Sequence, residues 1–515
     1  MSRRARISAV LTGLAFGAAL LWPALYNGQP IFFGDTSAYI RGADAGVQAL
    51  FHRRSAWSLS GADAIVQQEP GPAVRATGVP EAHAQAARYT LNAPIARGSS
   101  LADKSIVSGR SPYYGALLYL GDLTGGFWLS IALQSAAVVL AILLVLRTVG
   151  TRWSPRLIAA AGFIAAATTA PFFVSFLEPD IFAGVAVLVC AALLGGADRL
   201  RVGEWLLAFV LLAVCVLVHE SHALIVAMLL VLAVLRFGTR PRARPAIGTL
   251  AGAVLVAAAG QLAFAAAVKH IVGTPPLRPP FLMARMIEDG PGYRYLRASC
   301  PQNGFTVCKY LDRLPVDANL FLWDPSPRGV FSAVPPPVRQ ALAAEQTRFV
   351  LAVLAYAPWA ELRDALGDVG EQLTMAGLDE FQYPNVLKRS FEEKIPPVHL
   401  RRMKESAAYR GAMPVVPFSI VTGLTYGLGA LVVLSALLWG RVRTRLPSRL
   451  TAVTAWIVAG VLINAVVCGV LSGPHNRYAA RVAWVVPLAA LLIGDAALQR
   501  RRRAVDAATA RVEPA

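Results

Sequence analysis

Residues Trp205 to Leu235 read WLLAFVLLAVCVLVHESHALIVAMLLVLAVL. Two apolar runs meet there at His219-Glu220-Ser221-His222, and the way they meet sets the sidedness of everything downstream. As one continuous helix the stretch crosses a membrane once, which puts the clusters Arg236 to Arg244, Arg441 to Arg449 and Arg500 to Arg503 on the outer side. As two short helices, or a re-entrant pair, it returns the chain to the side it left. Short cytoplasmic connectors carry the excess of Lys and Arg, so the sequence predicts the hairpin.

Working outward, ten segments are long and apolar enough to be read as spans: Ile7 to Tyr26, Gly125 to Leu146, Leu157 to Phe176, Ile181 to Leu194, Trp205 to Val218, Ala223 to Leu235, Ala246 to Val268, Val416 to Leu438, Leu450 to Leu471 and Val482 to Leu498. With the N-terminus inside, alternation also places Arg147, Arg152, Arg156, Arg199 and Arg201 on the inner side. The composition agrees. Of the 515 residues 56% are hydrophobic and 15% charged, with a mean hydropathy of +0.52, against roughly 45–50% and about 25% for soluble domains. A single soluble enzyme is excluded. The net charge of +19 reads as topology and not as nucleic-acid binding, because the arginines cluster where apolar runs end. The first segment follows Arg3, Arg4 and Arg6 like a signal peptide, but Pro23-Ala24-Leu25-Tyr26 offers no A-x-A site, so it reads as a retained anchor.

The fold class expected is therefore an all-α polytopic protein of a bacterial inner membrane, with both termini cytoplasmic. It divides into a first transmembrane helix (1–26), an extracytoplasmic loop (27–124), a bundle (125–268), a second extracytoplasmic helical loop domain (269–414), a second bundle (415–499) and a basic tail (500–515). In the second loop Cys300 and Cys308 are spaced to close a small disulfide in an oxidising compartment; the alternative is a metal pair, without further Cys in the loop to complete it. Cys190, Cys215 and Cys468 fall inside spans as packing residues. From Val338 to Met375 apolar residues recur at helical spacing, interrupted near Pro358, which predicts two amphipathic helices on the membrane surface or a small helical domain.

All seven histidines, among them His52, His83, His270 and His399, fall on the outer side or its boundary. Ionisable groups beside span ends are costly unless they face a cavity or a partner, and four constellations fit. Asp35, in Gly34-Asp35-Thr36-Ser37-Ala38-Tyr39, is either a general base near an acceptor hydroxyl or a helix N-cap with Tyr39 as interfacial anchor. Glu178-Pro179-Asp180 suits a shared proton or a divalent metal, or else Asp180 caps the next helix. His219 and His222, three apart, could ligate a metal with Glu220 as proton acceptor, or form an interhelical hydrogen-bond cluster; the spacing is not H-E-x-x-H. Finally His475, Arg477 and Tyr478 lie in Gly-Pro-His-Asn-Arg-Tyr, followed by Arg481 and Trp484. An outer arginine there matches phosphate oxygens, or snorkels within an aromatic belt.

In order and sidedness these features resemble the GT-C superfamily of membrane glycosyltransferases. Asp35 to Tyr39 resembles that family's Asp-x-x-x-Tyr-like signature, Glu178 and Asp180 its second acidic site, and Arg477-Tyr478 its Arg-Tyr pair before a closing span; Thr36 stands where an acidic residue often follows the first Asp. The resemblance implies a polyprenyl-phosphate-linked sugar as donor, a cell-envelope acceptor, and an optional divalent metal, Mg or Mn. It implies Asp35 as base, Glu178 and Asp180 assisting through a metal if one is used, His219, Glu220 and His222 lining the cavity, and Arg477 on the donor phosphate.

Three other readings stand beside it. A transporter or flippase of a lipid-linked or anionic solute would use the same groups, although they sit at span ends and no repeat is evident. An O-antigen ligase or polymerase would rest on His399, Arg401 and Arg402. A scaffold protein would present Phe32, Phe33 and Trp323 as exposed contacts.

Overall fold

The computed structural model describes residues 3–53, 55–57, 106–150, 160, 162, 163, 165–238 and 240–509. Most of the first loop, His83 included, and part of the Leu157 to Phe176 segment lie outside the described residues. Among the described residues the regular structure is helical, apart from two isolated bridges, Ile31 with Phe176 and Val107 with Leu277. Eight helices among the described residues are long and apolar enough to cross a membrane: Ile7–Asn27, Trp128–Val149, Ile181–Arg199, Glu220–Phe237, Pro241–Val272, Val415–Leu438, Ser448–Ser472 and Asn476–Ala504. The chain is thus a multi-pass, all-helical membrane protein.

Two of the ten expected spans are corrected. Val202–Val218 is apolar but shorter than a full span. The described part of Leu157 to Phe176 is not one helix: it turns at Thr168 and Thr169 before the five-residue helix Ala170–Val174, which carries Pro171 in its first turn. Proline is accepted there because the first-turn N–H has no intrahelical partner to lose.

The decisive stretch is a hairpin. His219 takes φ −157° and ψ 135°, an extended residue that ends one helix and starts the next. Gly252 lies against Phe209 and Gly260 against Leu217, so the Arg244–Val272 helix runs parallel to Val202–Val218. It is also joined to Glu220–Phe237 by a short turn, hence antiparallel to it. Val202–Val218 and Glu220–Phe237 therefore run in opposite directions.

The basic connectors converge at one end of the bundle. Arg147 pairs with Glu204 at 3.4 Å, Gly150 packs on the Arg199 guanidinium, Arg449 pairs with Asp198, and Arg500 donates to the Arg445 carbonyl at 3.0 Å. At the bundle centre, Ile181–Gly196 buries nearly every residue, as an all-round apolar helix must. Its neighbours approach closely through small residues, as where Gly460 of Ser448–Ser472 meets Val187.

The second loop splits physically. Phe281–Asp289, Pro291–Ser299, Ala318–Trp323 and Pro336–Tyr356 gather a separate core around Met283, Leu296, Phe321, Phe331 and Phe349. Cys300 and Cys308 are joined by a disulfide in this unit, with Cα atoms 5.7 Å apart. Pro358–Thr374 instead packs along Ser448–Ser472, and Phe381 joins the bundle core against Phe172, Phe173 and Phe176. The two helices expected between Val338 and Met375 thus divide their loyalties: the first belongs to a small domain, the second lies on the bundle.

Candidate functional site

At the end of the bundle opposite the basic connectors, backbone pairing brings two of the acidic segments side by side. The amide of Ile31 donates to the Ser175 carbonyl at 2.8 Å and that of Leu177 to Ile31 at 2.9 Å, which sets residues 31–36 beside residues 175–180. Thr36 locks the junction: its hydroxyl donates to the Leu177 carbonyl at 3.1 Å and accepts from the Phe33 amide at 2.9 Å.

Asp35 and Asp180 both occupy helix N-cap positions, yet neither side chain makes a capping hydrogen bond. Both carboxylates face arginines instead. Asp35 forms an ion pair with Arg110, each side chain between a quarter and a third exposed. Asp180 is buried, with Oδ1 3.0 Å from Nη1 of Arg481 and Oδ2 3.6 Å from Nε of Arg477. Glu178 is buried between them. Desolvation, followed by the nearby Asp35 carboxylate, pushes its carboxyl well above the usual range, while Arg477 and Arg110 oppose the shift. Glu178 is therefore held toward its neutral, proton-carrying form.

Arg477 reaches a second acid, Glu380, at 3.5 Å. Its guanidinium stacks 4.4 Å over Phe33 and 5.2 Å from the Tyr478 ring. Its Nη1 is buried without a hydrogen-bond partner. Arg481 differs: it is fully buried, and its three nitrogens are taken up by Asp180, Asn464, Ser221 and Cys468. A buried guanidinium with every nitrogen hydrogen-bonded is a structural clamp, whereas one with an unpartnered nitrogen at a partly open edge can take an anion.

The hairpin tip enters from the third side. His219 Nδ1 accepts from the Ser221 amide at 3.1 Å and lies 2.8 Å from the Ser221 hydroxyl, which in turn accepts from Arg481. Burial, then the charges of Arg481, Arg110 and Arg477, press His219 toward its neutral form. His222 Nδ1 lies 3.0 Å from the Cys215 carbonyl, and its Nε2 is buried without a partner. Glu220 does not join the cluster: it is exposed and faces Arg278 at 3.8 Å. The helix start turns it away from its neighbours, a direction that adjacency in sequence does not reveal.

Tyr39 is buried against Tyr114, with ring centroids 5.1 Å apart, which replaces the expected interfacial anchor by a packed core residue. His475 is held through its backbone, its amide donating to Gln372 at 3.1 Å and its carbonyl accepting from the same side chain at 2.9 Å. Its ring stands edge-on to Tyr478 at 5.4 Å. The carbonyl of Tyr478 accepts from Asn464 at 2.7 Å. Thus Asp35, Glu178, Asp180, His219, His222 and Arg477 are brought together, with Tyr39, His475 and Tyr478 packed around them.

Among the described residues no three His, Cys, Asp or Glu side chains are grouped to share a metal ion. Asp35 and Asp180 face guanidinium groups and Glu178 is held toward its neutral form, so these residues do not fit the Mg or Mn that the resemblance allows. The exposure assumed in the scaffold reading is not found for Phe32, which is buried; Phe33 lies beneath Arg477, and Trp323 packs on Phe281 at 5.9 Å. Elsewhere His399 pairs with Asp122 at 3.1 Å and stacks on Trp57, while Arg401 and Arg402 are exposed.

Three members escaped sequence reasoning: Arg110, Glu380 and the clamping role of Arg481. For Arg110 a signal existed, since it is an arginine on what the sequence reading makes the outer side, where arginine is disfavoured, directly before the Ser111-Pro112 helix start. Comparison of the chain with family models, with curated proteins and with solved structures returns no match.

Proposed function

We propose that the protein is a membrane glycosyltransferase of the GT-C kind, moving a sugar from a polyprenyl-phosphate-linked donor to a cell-envelope acceptor on the outer face of a bacterial inner membrane. One observation carries this reading. A partly open acid, Asp35, and an arginine with an unused buried donor, Arg477, are drawn from opposite ends of the chain to one membrane edge, with Glu178 in electrostatic contact with both.

The chemistry follows from that pairing. An acceptor hydroxyl oxygen attacks the anomeric carbon and passes its proton to Asp35; the bond between that carbon and the phosphate oxygen breaks, and polyprenyl phosphate leaves as an anion. Arg477 stabilises the charge that develops on the leaving phosphate, in surroundings where low dielectric strengthens the contact. Asp180 and Glu380 position Arg477, and Asp180 shares this task with the Arg481 clamp. A neutral Glu178 avoids adding a third negative charge beside the phosphate. The prenyl chain has a path in the apolar groove that starts at Val421 and is lined by Leu424, Leu428, Gly429 and Pro487. Two residues earlier, Ser419 accepts from the Leu378 amide, close in sequence to Glu380.

The test is release of free polyprenyl phosphate from radiolabelled polyprenyl-phosphate hexoses and pentoses, by the full chain in nanodiscs with an envelope extract as acceptor. The wild type is expected to release it, and Asp35→Asn to slow release by about 10²–10⁴-fold, the usual worth of a general base. No release from any donor, or an Asp35→Asn variant as fast as wild type, overturns the reading. Movement of intact donor across a vesicle bilayer without release would establish the transporter alternative.

A further inference from the structure

The joint between the helices Pro336–Tyr356 and Pro358–Thr374 carries an apolar surface that no other described residues cover. Trp359 is 80% exposed and Leu366 64%; Leu351, Leu354, Tyr356 and Leu362 extend the same patch across both helices. In a water-facing domain such a cluster marks an interaction site. Its polar counterpart faces inward, where Asp368 reaches Arg285 at 2.8 Å.

What covers the patch follows from where the second helix lies. Asp368 packs on Gly469 and Gln372 holds His475, so Pro358–Thr374 ascends in the same direction as the Ser448–Ser472 span. Its beginning, the joint itself, therefore points back toward the bilayer. The span's own outward residues Leu462 and Val466 are exposed as a lipid-facing surface is, and the helix that carries Trp359, Leu362 and Leu366 packs along that span. Tyr356 and Trp359, amphipathic rings at the lowest point of the joint, are the residue types that settle at a lipid headgroup layer.

We propose that this joint is a membrane-seated elbow: Tyr356 and Trp359, with the flanking leucines, insert into the outer leaflet beside the Ser448–Ser472 helix. The occupant of the patch is membrane lipid. Because Gln372 clasps the His475 backbone two residues before Arg477, the seat also fixes the loop that carries the site arginine. This inference stands whether or not the protein transfers a sugar.

The experiment places a nitroxide at Trp359→Cys and, separately, at Leu362→Cys in the full chain in nanodiscs; Cys190, Cys215 and Cys468 are buried and do not compete for label. Collision rates with oxygen, which concentrates in lipid, are compared with those of a water-soluble nickel chelate. Oxygen collisions several-fold above nickel at both positions are expected. Nickel collisions in excess would put the elbow in water. Suppression of both, with an immobile label, would mean that a second copy or another protein covers it. Either result overturns the proposal, and the second label position keeps the test valid if one variant fails to fold.

Discussion

Asp180 holds two arginines at once, its Oδ1 3.0 Å from Nη1 of Arg481 and its Oδ2 3.6 Å from Nε of Arg477. The two partners come from one helix four residues apart, so a single carboxylate both fills the buried clamp and orients the arginine at the open edge.

Asp180→Ala therefore strands a fully buried guanidinium. Removing one partner of a buried pair costs about 3–5 kcal/mol, and the lower end applies because Asn464 and Ser221 continue to accept from Arg481. A clear drop in the apparent Tm of the full chain in detergent is expected, by intrinsic fluorescence. An unchanged Tm would show that Arg481 does not need its counter-ion.

Asp35 behaves differently although it too is paired. Its contact with Arg110 is partly exposed, and such pairs are worth only about 0–1 kcal/mol. Asp35→Asn should leave the Tm within a few degrees of wild type while slowing the proposed sugar transfer by about 10²–10⁴-fold. Loss of stability matching that of Asp180→Ala would instead make Asp35 a structural residue, and the proposed base would have to be sought elsewhere.

The hairpin at His219 was legible because charge sidedness constrains the whole chain at once: a wrong crossing would have moved three arginine clusters to the unfavoured side. Side-chain direction was not legible in the same way. Glu220 and Ser221 are neighbours, yet one faces Arg278 and the other accepts from Arg481. Arg110 and Glu380 have no span beside them in sequence: Arg110 was marked only by its place before a helix start, and Glu380 shows its membership only where the fold brings it to Arg477. The broken Leu157 to Phe176 segment was misread because apolarity alone does not register the turn at Thr168 and Thr169.

Arg477→Lys tests the use of the unpaired donor. A lysine keeps the charge but not the planar fork, and Arg-to-Lys is not conservative at a site where a guanidinium stacks on an aromatic ring while contacting two acids. Weaker binding of polyprenyl phosphate is expected, by roughly tenfold or about 1.4 kcal/mol, with Asp35→Asn binding nearly as wild type. Equal affinity for Arg477→Lys and wild type in equilibrium binding to nanodisc-bound protein would remove Arg477 from the phosphate site.

The contact between the small domain and the Pro358–Thr374 helix should weaken as pH rises. Asp289 and Glu361 cluster with Glu288, Asp364 and Asp368 around Arg285 and Arg294; burial comes first and, together with the neighbouring carboxylates, pushes both Asp289 and Glu361 up to about 7. Between about pH 4 and 7 the folded protein thus binds more protons than the unfolded chain, and stability falls as pH rises through that window. Both groups are only about half-buried, so roughly 1–2 kcal/mol in total survives solvent screening. Protease resistance of the 281–356 region should decline from pH 5 to pH 8, and Glu361→Gln should flatten that decline. A profile that rises with pH would mean that Arg285 wins over burial and holds these carboxyls ionised.

Reduction of the Cys300–Cys308 bond should act on the same region and leave the bundle intact. The bond closes a loop with a sequence separation of 8, for which chain entropy gives roughly 2.5 kcal/mol of stabilisation. That is a large share of what a domain of this size can hold, since a small core alone rarely supplies more than about 3–5 kcal/mol. The bundle, by contrast, has its own continuous core and carries its three cysteines as free, buried thiols. Cys300→Ser should therefore raise proteolysis between residues 281 and 356 while the membrane helices keep their unfolding temperature. If both fall together, the loop domain and the bundle are one cooperative unit, joined through the Asp368 and Gln372 contacts that hold Pro358–Thr374 to the Ser448–Ser472 span.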